Sequence, residues 1–169
     1  MALRPQDLLV AAKLALEPAA SYPRLAEALH MSLSEVHGAV RRATGAGLLT
    51  HDRRADADAL LEFILHGVRY AFAPERGAMT RGMPTAHAAP PLNKSIAGGD
   101  EPPPVWPDPA GTARGQSFAP LYRSVPAAAK DDARLYEMLC LIDAVRGGRA
   151  RERAMAEKLL RRVLGRAGK

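Results

Sequence analysis

Few residues in the chain have types and spacing that suit bond-making chemistry. His51, Asp52, Asp56 and Asp58 are of metal-ligand type, but their spacing matches no recognised site, and Asp56 and Asp58 suit a helix N-terminus, where the dipole favours carboxylates. Cys140, the sole cysteine, lies in an apolar helical pattern and can form neither an internal disulfide nor a cysteine metal cluster. No Gly-rich phosphate loop and no nucleophile elbow is present, so neither an enzyme nor a cofactor is expected. What remains is the chemistry of recognition. Ser32, Leu33, Ser34, His37, Arg41 and Arg42 follow one another at helical spacing, with Arg53 and Arg54 close behind. Serine and histidine bond base edges or phosphates, and arginine pairs with phosphates.

Two helices around a tight turn must position these residues. Leu25, Ala26 and Leu29 share one helical face, and Val36, Ala39, Val40 and Ala43 repeat the spacing in the next segment. Ser32 is placed to cap the second helix, and Glu35, three residues on, closes a capping box. Ala26 is small enough for the helices to cross steeply. The pattern Leu25-Ala26-x-x-Leu29-x-Met31-Ser32-x-Ser34-x-Val36-x-x-Ala39-Val40, ending in Gly47-Leu48-Leu49, resembles the helix-turn-helix core of bacterial winged-helix regulators of the MarR and GntR type. The resemblance covers about a quarter of the chain. It implies a module that binds double-stranded DNA, with the helix from about Leu33 to Ala46 entering the groove. His30 stands where those families usually carry glycine, and histidine tolerates left-handed backbone better than most residues. The central reading positions carry no arginine or asparagine, so docking with modest base discrimination is expected.

The formal net charge of +6 is unevenly distributed. Residues 1–66 hold 7 Lys/Arg against 8 Asp/Glu, residues 67–125 hold 6 against 4, and residues 126–169 hold 11 against 6. Alanine and leucine dominate while aromatics are scarce, which favours helix over sheet. With no charged-then-apolar leader, no run of membrane-span length and one cysteine, a cytoplasmic protein without membrane contact is expected.

The expected architecture is mainly α. Residues 1–83 read as a winged helix-turn-helix domain: a first helix from Pro5 with Leu8, Leu9, Ala12 and Leu16 inward, a second from Tyr22 capped by Ser21, and a short strand at Leu48-Leu49-Thr50. A helix follows from Asp58 to His66. Val68-Arg69-Tyr70-Ala71-Phe72 alternates like a strand, and with a second segment through Met83 it would form a small β-hairpin wing. As wings do in the families resembled, it would lay Arg69, Arg76 and Arg81 along the phosphate backbone. Residues 84–126, rich in Pro and Gly, read as an extended connector strap. Val105, Trp106, Phe118, Leu121 and Tyr122 are spread along it, as for a strap held against a folded surface; Trp106 between prolines is alternatively a docking element for another protein.

Residues 127–169 read as a basic helical hairpin broken at Gly147-Gly148. Its stripe Leu135, Met138, Leu139, Ile142 and Val145 is wide enough to suggest a homodimer through the hairpin. The function expected is that of a DNA-binding transcriptional regulator acting as a dimer. The alternative is a non-catalytic adaptor or antitoxin-like subunit that binds an effector protein through the winged helix and the hairpin.

Overall fold

The computed structural model describes residues 1–167. It is mainly helical: eight α-helices surround a small three-stranded sheet among the described residues. In chain order these are α1 (Pro5–Leu16), α2 (Tyr22–Leu29), α3 (Leu33–Gly45), α4 (Ala57–His66), α5 (Val68–Ala71), β1 (Arg76–Pro84), β2 (Pro104–Pro107), β3 (Ala113–Phe118), α6 (Val125–Asp131), α7 (Ala133–Gly147) and α8 (Ala150–Ala167).

The core is built around α1, which is buried on every side from Asp7 to Ala15. The sequence pattern pointed to one inward face. The continuous run Leu8-Leu9-Val10-Ala11-Ala12 instead suits a helix covered all round, and α2, α3, α7 and α8 all pack on it. Its two buried charges are paired. Lys13 bridges Glu17 at 2.7 Å and Asp132 at 2.8 Å, and Asp7, fully buried, pairs with Arg42 of α3.

Local signals set the helix ends. Ser21 Oγ accepts from the Arg24 amide, Ser32 and Glu35 form the reciprocal capping box, and Asp56 caps α4. Each such cap contributes roughly 1 kcal/mol. His30 takes the left-handed conformation at the end of α2, with φ 50° and ψ 45°. The turn is closed by the Met31 amide donating to the Ala26 carbonyl at 3.0 Å.

The expected wing does not form. Gly67 keeps right-handed helical backbone, so the chain bends and continues as α5 where Val68–Phe72 was expected to be a strand. Five alternating residues fit one helical turn as well as a strand, and here only Val68 among them is buried while Phe72 meets Phe63 edge to face. The strand that follows, β1, pairs with two strands from the Pro/Gly-rich segment. Arg76 to Gly82 lie antiparallel to β3, Gly82 to Pro84 lie antiparallel to β2, and β2 and β3 run parallel, so each strand pairs with the other two. Gly82 permits this closure, since a Cβ there would fall 2.0 Å from the Trp106 carbonyl oxygen. Residues 84–126 are therefore no simple extended connector: they supply β2, β3 and the start of α6.

A buried polar cluster fixes that segment to α7. Asp143 is 1% exposed and accepts from Thr85 Oγ1 at 2.6 Å, Trp106 Nε1 at 2.7 Å and Arg146 Nη1 at 2.6 Å. Arg146 also donates to the Phe72 and Ala119 carbonyls. Burial pushes the Asp143 carboxyl upward, while the Arg146 guanidinium and the Thr85 and Trp106 donors pull it back. Trp106 is thus turned inward and held by the chain's own fold. The α7 stripe is also used internally: Leu135, Met138, Leu139, Ile142 and Val145 are all buried within the one chain. A homodimer through that stripe, as the sequence suggested, has no free surface there. No helix among the described residues is long and apolar enough to cross a membrane.

Candidate nucleic-acid interface

The outward side of α3 forms the floor of a shallow groove, walled by Tyr22 at the start of α2 and by a miniature hairpin that follows α3. Leu49 and Ala55 form one antiparallel bridge, flanked by the Thr50 amide donating to the Arg54 carbonyl at 2.8 Å and the Asp56 amide to the Leu48 carbonyl at 3.0 Å. The expected strand at Leu48–Thr50 is therefore one side of this hairpin. His51 lies in its turn, and Arg53 takes left-handed backbone at φ 65°.

The groove is lined by Tyr22, Ser34, His37, Gly38, Arg41, Thr44, His51 and Arg53 with Val40 beneath, and no carboxylate is among them. Its aromatic wall is stacked. The His37 and Tyr22 rings lie 3.8 Å apart at 18°, and the Arg53 guanidinium sits 4.6 Å from the Tyr22 ring centroid. This layering limits the motion of His37 and Arg53; Arg53 Nη1 donates to the Ala20 carbonyl at 3.4 Å, and the imidazole nitrogens and the other guanidinium N–H groups are left for polar contacts. Arg41 is exposed, with no ion-pair partner among the described residues.

Of the residues singled out in the sequence, the structure brings together Ser34, His37, Arg41 and Arg53. Ser32 and Leu33 stand at the start of α3: the Ser32 hydroxyl is committed to the Glu35 amide, and Leu33 is 47% exposed. Arg54 lies on the hairpin but pairs with Asp52 at 3.3 Å.

The other four lie elsewhere. Arg42 turns inward and grips Asp7 through Nε at 2.9 Å and Nη2 at 2.8 Å, so its role is internal. Arg69 lies on α5 against Tyr70, and Arg76 donates to the Gly147 carbonyl at the end of α7. Arg81 is exposed on β1 opposite Arg114 of β3.

Tyr22, Thr44 and His51 were missed by sequence reasoning. Thr44 carries the i+7 signal from His37 on one helix face. Tyr22 and His51 carry no local signal, because only the crossing of α2, α3 and the hairpin brings them to the groove.

The base of this unit is braced by the segment around α6. Glu35 accepts from the Tyr122 hydroxyl and from Arg123 Nη2 at 2.9 Å, and His30 Nε2 meets Asp131 at 2.9 Å. The Tyr122 hydrogen bond, with the Ser32 amide and hydroxyl, lowers the Glu35 carboxyl to about 2. Glu35 is thereby directed away from the groove. Among the described residues no group of three or more His, Cys, Asp or Glu side chains is arranged to hold a metal ion. Comparison of the chain with protein-family models, with curated proteins and with solved structures finds no match.

Proposed function

We propose that this is a DNA-binding protein of the regulator type, which seats α3 in the major groove and lays the hairpin of residues 48–56 against the adjacent backbone as a minimal wing. One observation carries it: the groove over α3 gathers Ser34, His37, Arg41, Thr44, His51 and Arg53 without a carboxylate. Such a face offers donors to phosphates and base edges and meets no like charge on the duplex. The packed α2–α3 pair, joined by a short turn that is left-handed at His30, supports the same assignment. Two copies on a palindromic site would have to meet through surfaces other than the α7 stripe, which is spent inside the chain.

The test is a mobility shift on duplex fragments over a range of salt concentrations. Replacing Arg41 and Arg53 by alanine should weaken binding to all sequences and flatten the salt dependence by about 2 units, roughly 0.9 for each phosphate no longer neutralised. Ser34→Ala or His37→Ala should instead change the preference among sequences. Unchanged affinity in the Arg41/Arg53 double variant would refute the assignment. An effector protein bound over the same face, the alternative function, would then be favoured by Leu33, exposed at its edge.

A further inference from the structure

The exposed side of α8 carries a row of cations that the groove over α3 does not use. Arg151, Lys158, Arg162 and Arg166 are all exposed, and they follow one another at seven, four and four residues. At about 100° per residue this keeps them within a narrow arc of one helix face, and at 1.5 Å per residue the row is roughly 22 Å long. The opposite face is occupied, with Ala156, Leu160 and Leu164 buried against α7 and α4. None of the four forms an ion pair among the described residues. The two acids of α8 are used elsewhere: Glu157 pairs with Arg161 at 2.8 Å, and Glu152 sits near His87 and accepts from the Arg149 amide. Glu137 of α7 lines the groove beside Arg162 and Arg166, where Arg134 offsets its charge.

Four unpaired cations in a row repel one another, and nothing in the chain's own fold requires them all. The helix dipole accounts for Arg162 and Arg166 near the C-terminus, but not for Arg151 in the first turn, where a cation is disfavoured. Among the residues between them, Ala154 and Gly165 are small and exposed while Met155 is half-buried against the core, so the row is open to a long, regular polyanion. A lipid surface is disfavoured, because an interfacial helix needs large exposed apolar side chains flanking its cations, whereas on α8 Leu160 and Leu164 are buried and Met155, Leu159 and Val163 are half-buried against the core.

We propose that the α8 row is a second nucleic-acid surface, which tracks a phosphate backbone over about six base pairs and is separate from the groove over α3. The polarity of the proposed ligand is the one already inferred for α3, so the proposal rests on that assignment for the kind of polyanion and on α8 alone for the site. Both α3 and α8 pack on α1, but α3 is otherwise set against α2 and α8 against α7 and α4, so the two surfaces are carried by different helix pairs of the core. One protomer would therefore hold two duplex segments.

The experiment compares the full chain with Arg151→Gln/Lys158→Gln/Arg162→Gln/Arg166→Gln, whose exposed glutamines retain helix propensity, and with Arg41→Gln/Arg53→Gln. Circular dichroism confirms the fold of each. Fluorescence anisotropy on a labelled duplex of mixed sequence, across salt, should show the α8 variant losing about 3 to 4 units of slope in log K against log salt. It should also lose capture of a second, labelled duplex by protein saturated with a tethered one. A slope unchanged from the native chain overturns the proposal. So does a native chain that binds no duplex but sediments with phosphatidylserine vesicles through the same four residues. If the α8 variant loses slope while the Arg41/Arg53 variant binds as the native chain does, the α3 assignment fails and the α8 surface stands.

Discussion

Asp143 is the residue whose removal should most disturb the molecule. Asp143→Ala leaves the Arg146 guanidinium, 4% exposed, without its carboxylate, and strips the Trp106 indole N–H and the Thr85 hydroxyl of their acceptor. Breaking a buried pair by deleting one partner costs about 3–5 kcal/mol, because the surviving charge stays desolvated. The Phe72 and Ala119 carbonyls still accept from Arg146, which places the expected loss toward the lower end, near 3 kcal/mol. For a domain of this size roughly 2–4 °C of Tm accompanies each kcal/mol, so a fall on the order of 6–12 °C is expected. Trp106 is the only tryptophan, so its emission reports the cluster directly and should shift to the red as water reaches β2. Urea unfolding followed by that emission measures the loss for Asp143→Ala, and circular dichroism extends the measurement to a cycle with Trp106→Phe. The coupling between the two should be on the order of 1–3 kcal/mol. An Asp143→Ala protein within 1 kcal/mol of the native chain, or additive losses in the cycle, would refute this account of how residues 84–118 are anchored to α7.

Two further outcomes follow from neighbouring pairs. Arg42→Ala strands the fully buried Asp7 carboxylate and should cost about 3–5 kcal/mol by chemical unfolding, whereas Arg41→Ala, one residue earlier on the exposed face, should cost less than about 0.5 kcal/mol; equal costs would contradict the inward placement of Arg42. Because the Glu35 carboxyl is lowered to about 2 in the folded chain, its contribution is fully present above the unfolded value near 4.3 and is lost as pH falls from there toward 2. Melting temperatures between pH 6 and pH 2 should therefore fall less steeply in Glu35→Gln than in the native chain, and parallel curves would show that Glu35 contributes nothing.

Much of the helix-turn-helix was legible in the sequence because its determinants are local. A serine and a glutamate three residues apart, a histidine able to turn left-handed, and apolar residues at three- and four-residue spacing act within one or two helical turns, and α2 and α3 begin where Ser21 and Ser32 placed them. The same holds for α7 and α8, divided at Gly147-Gly148. Helical spacing already put Arg41 outward with Ser34 and His37, but only the tertiary structure decided that Arg42 turns inward, since its direction depends on Asp7, 35 residues earlier. It also decided that β1 pairs with strands from the Pro/Gly-rich segment, because strand partners are chosen by hydrogen bonds and burial across the chain, and Gly82 reveals its purpose only when the Trp106 carbonyl lies against it. The Arg53–Tyr22–His37 stack has the same origin. Its members come from three elements, and no pattern shorter than the folded core brings them together.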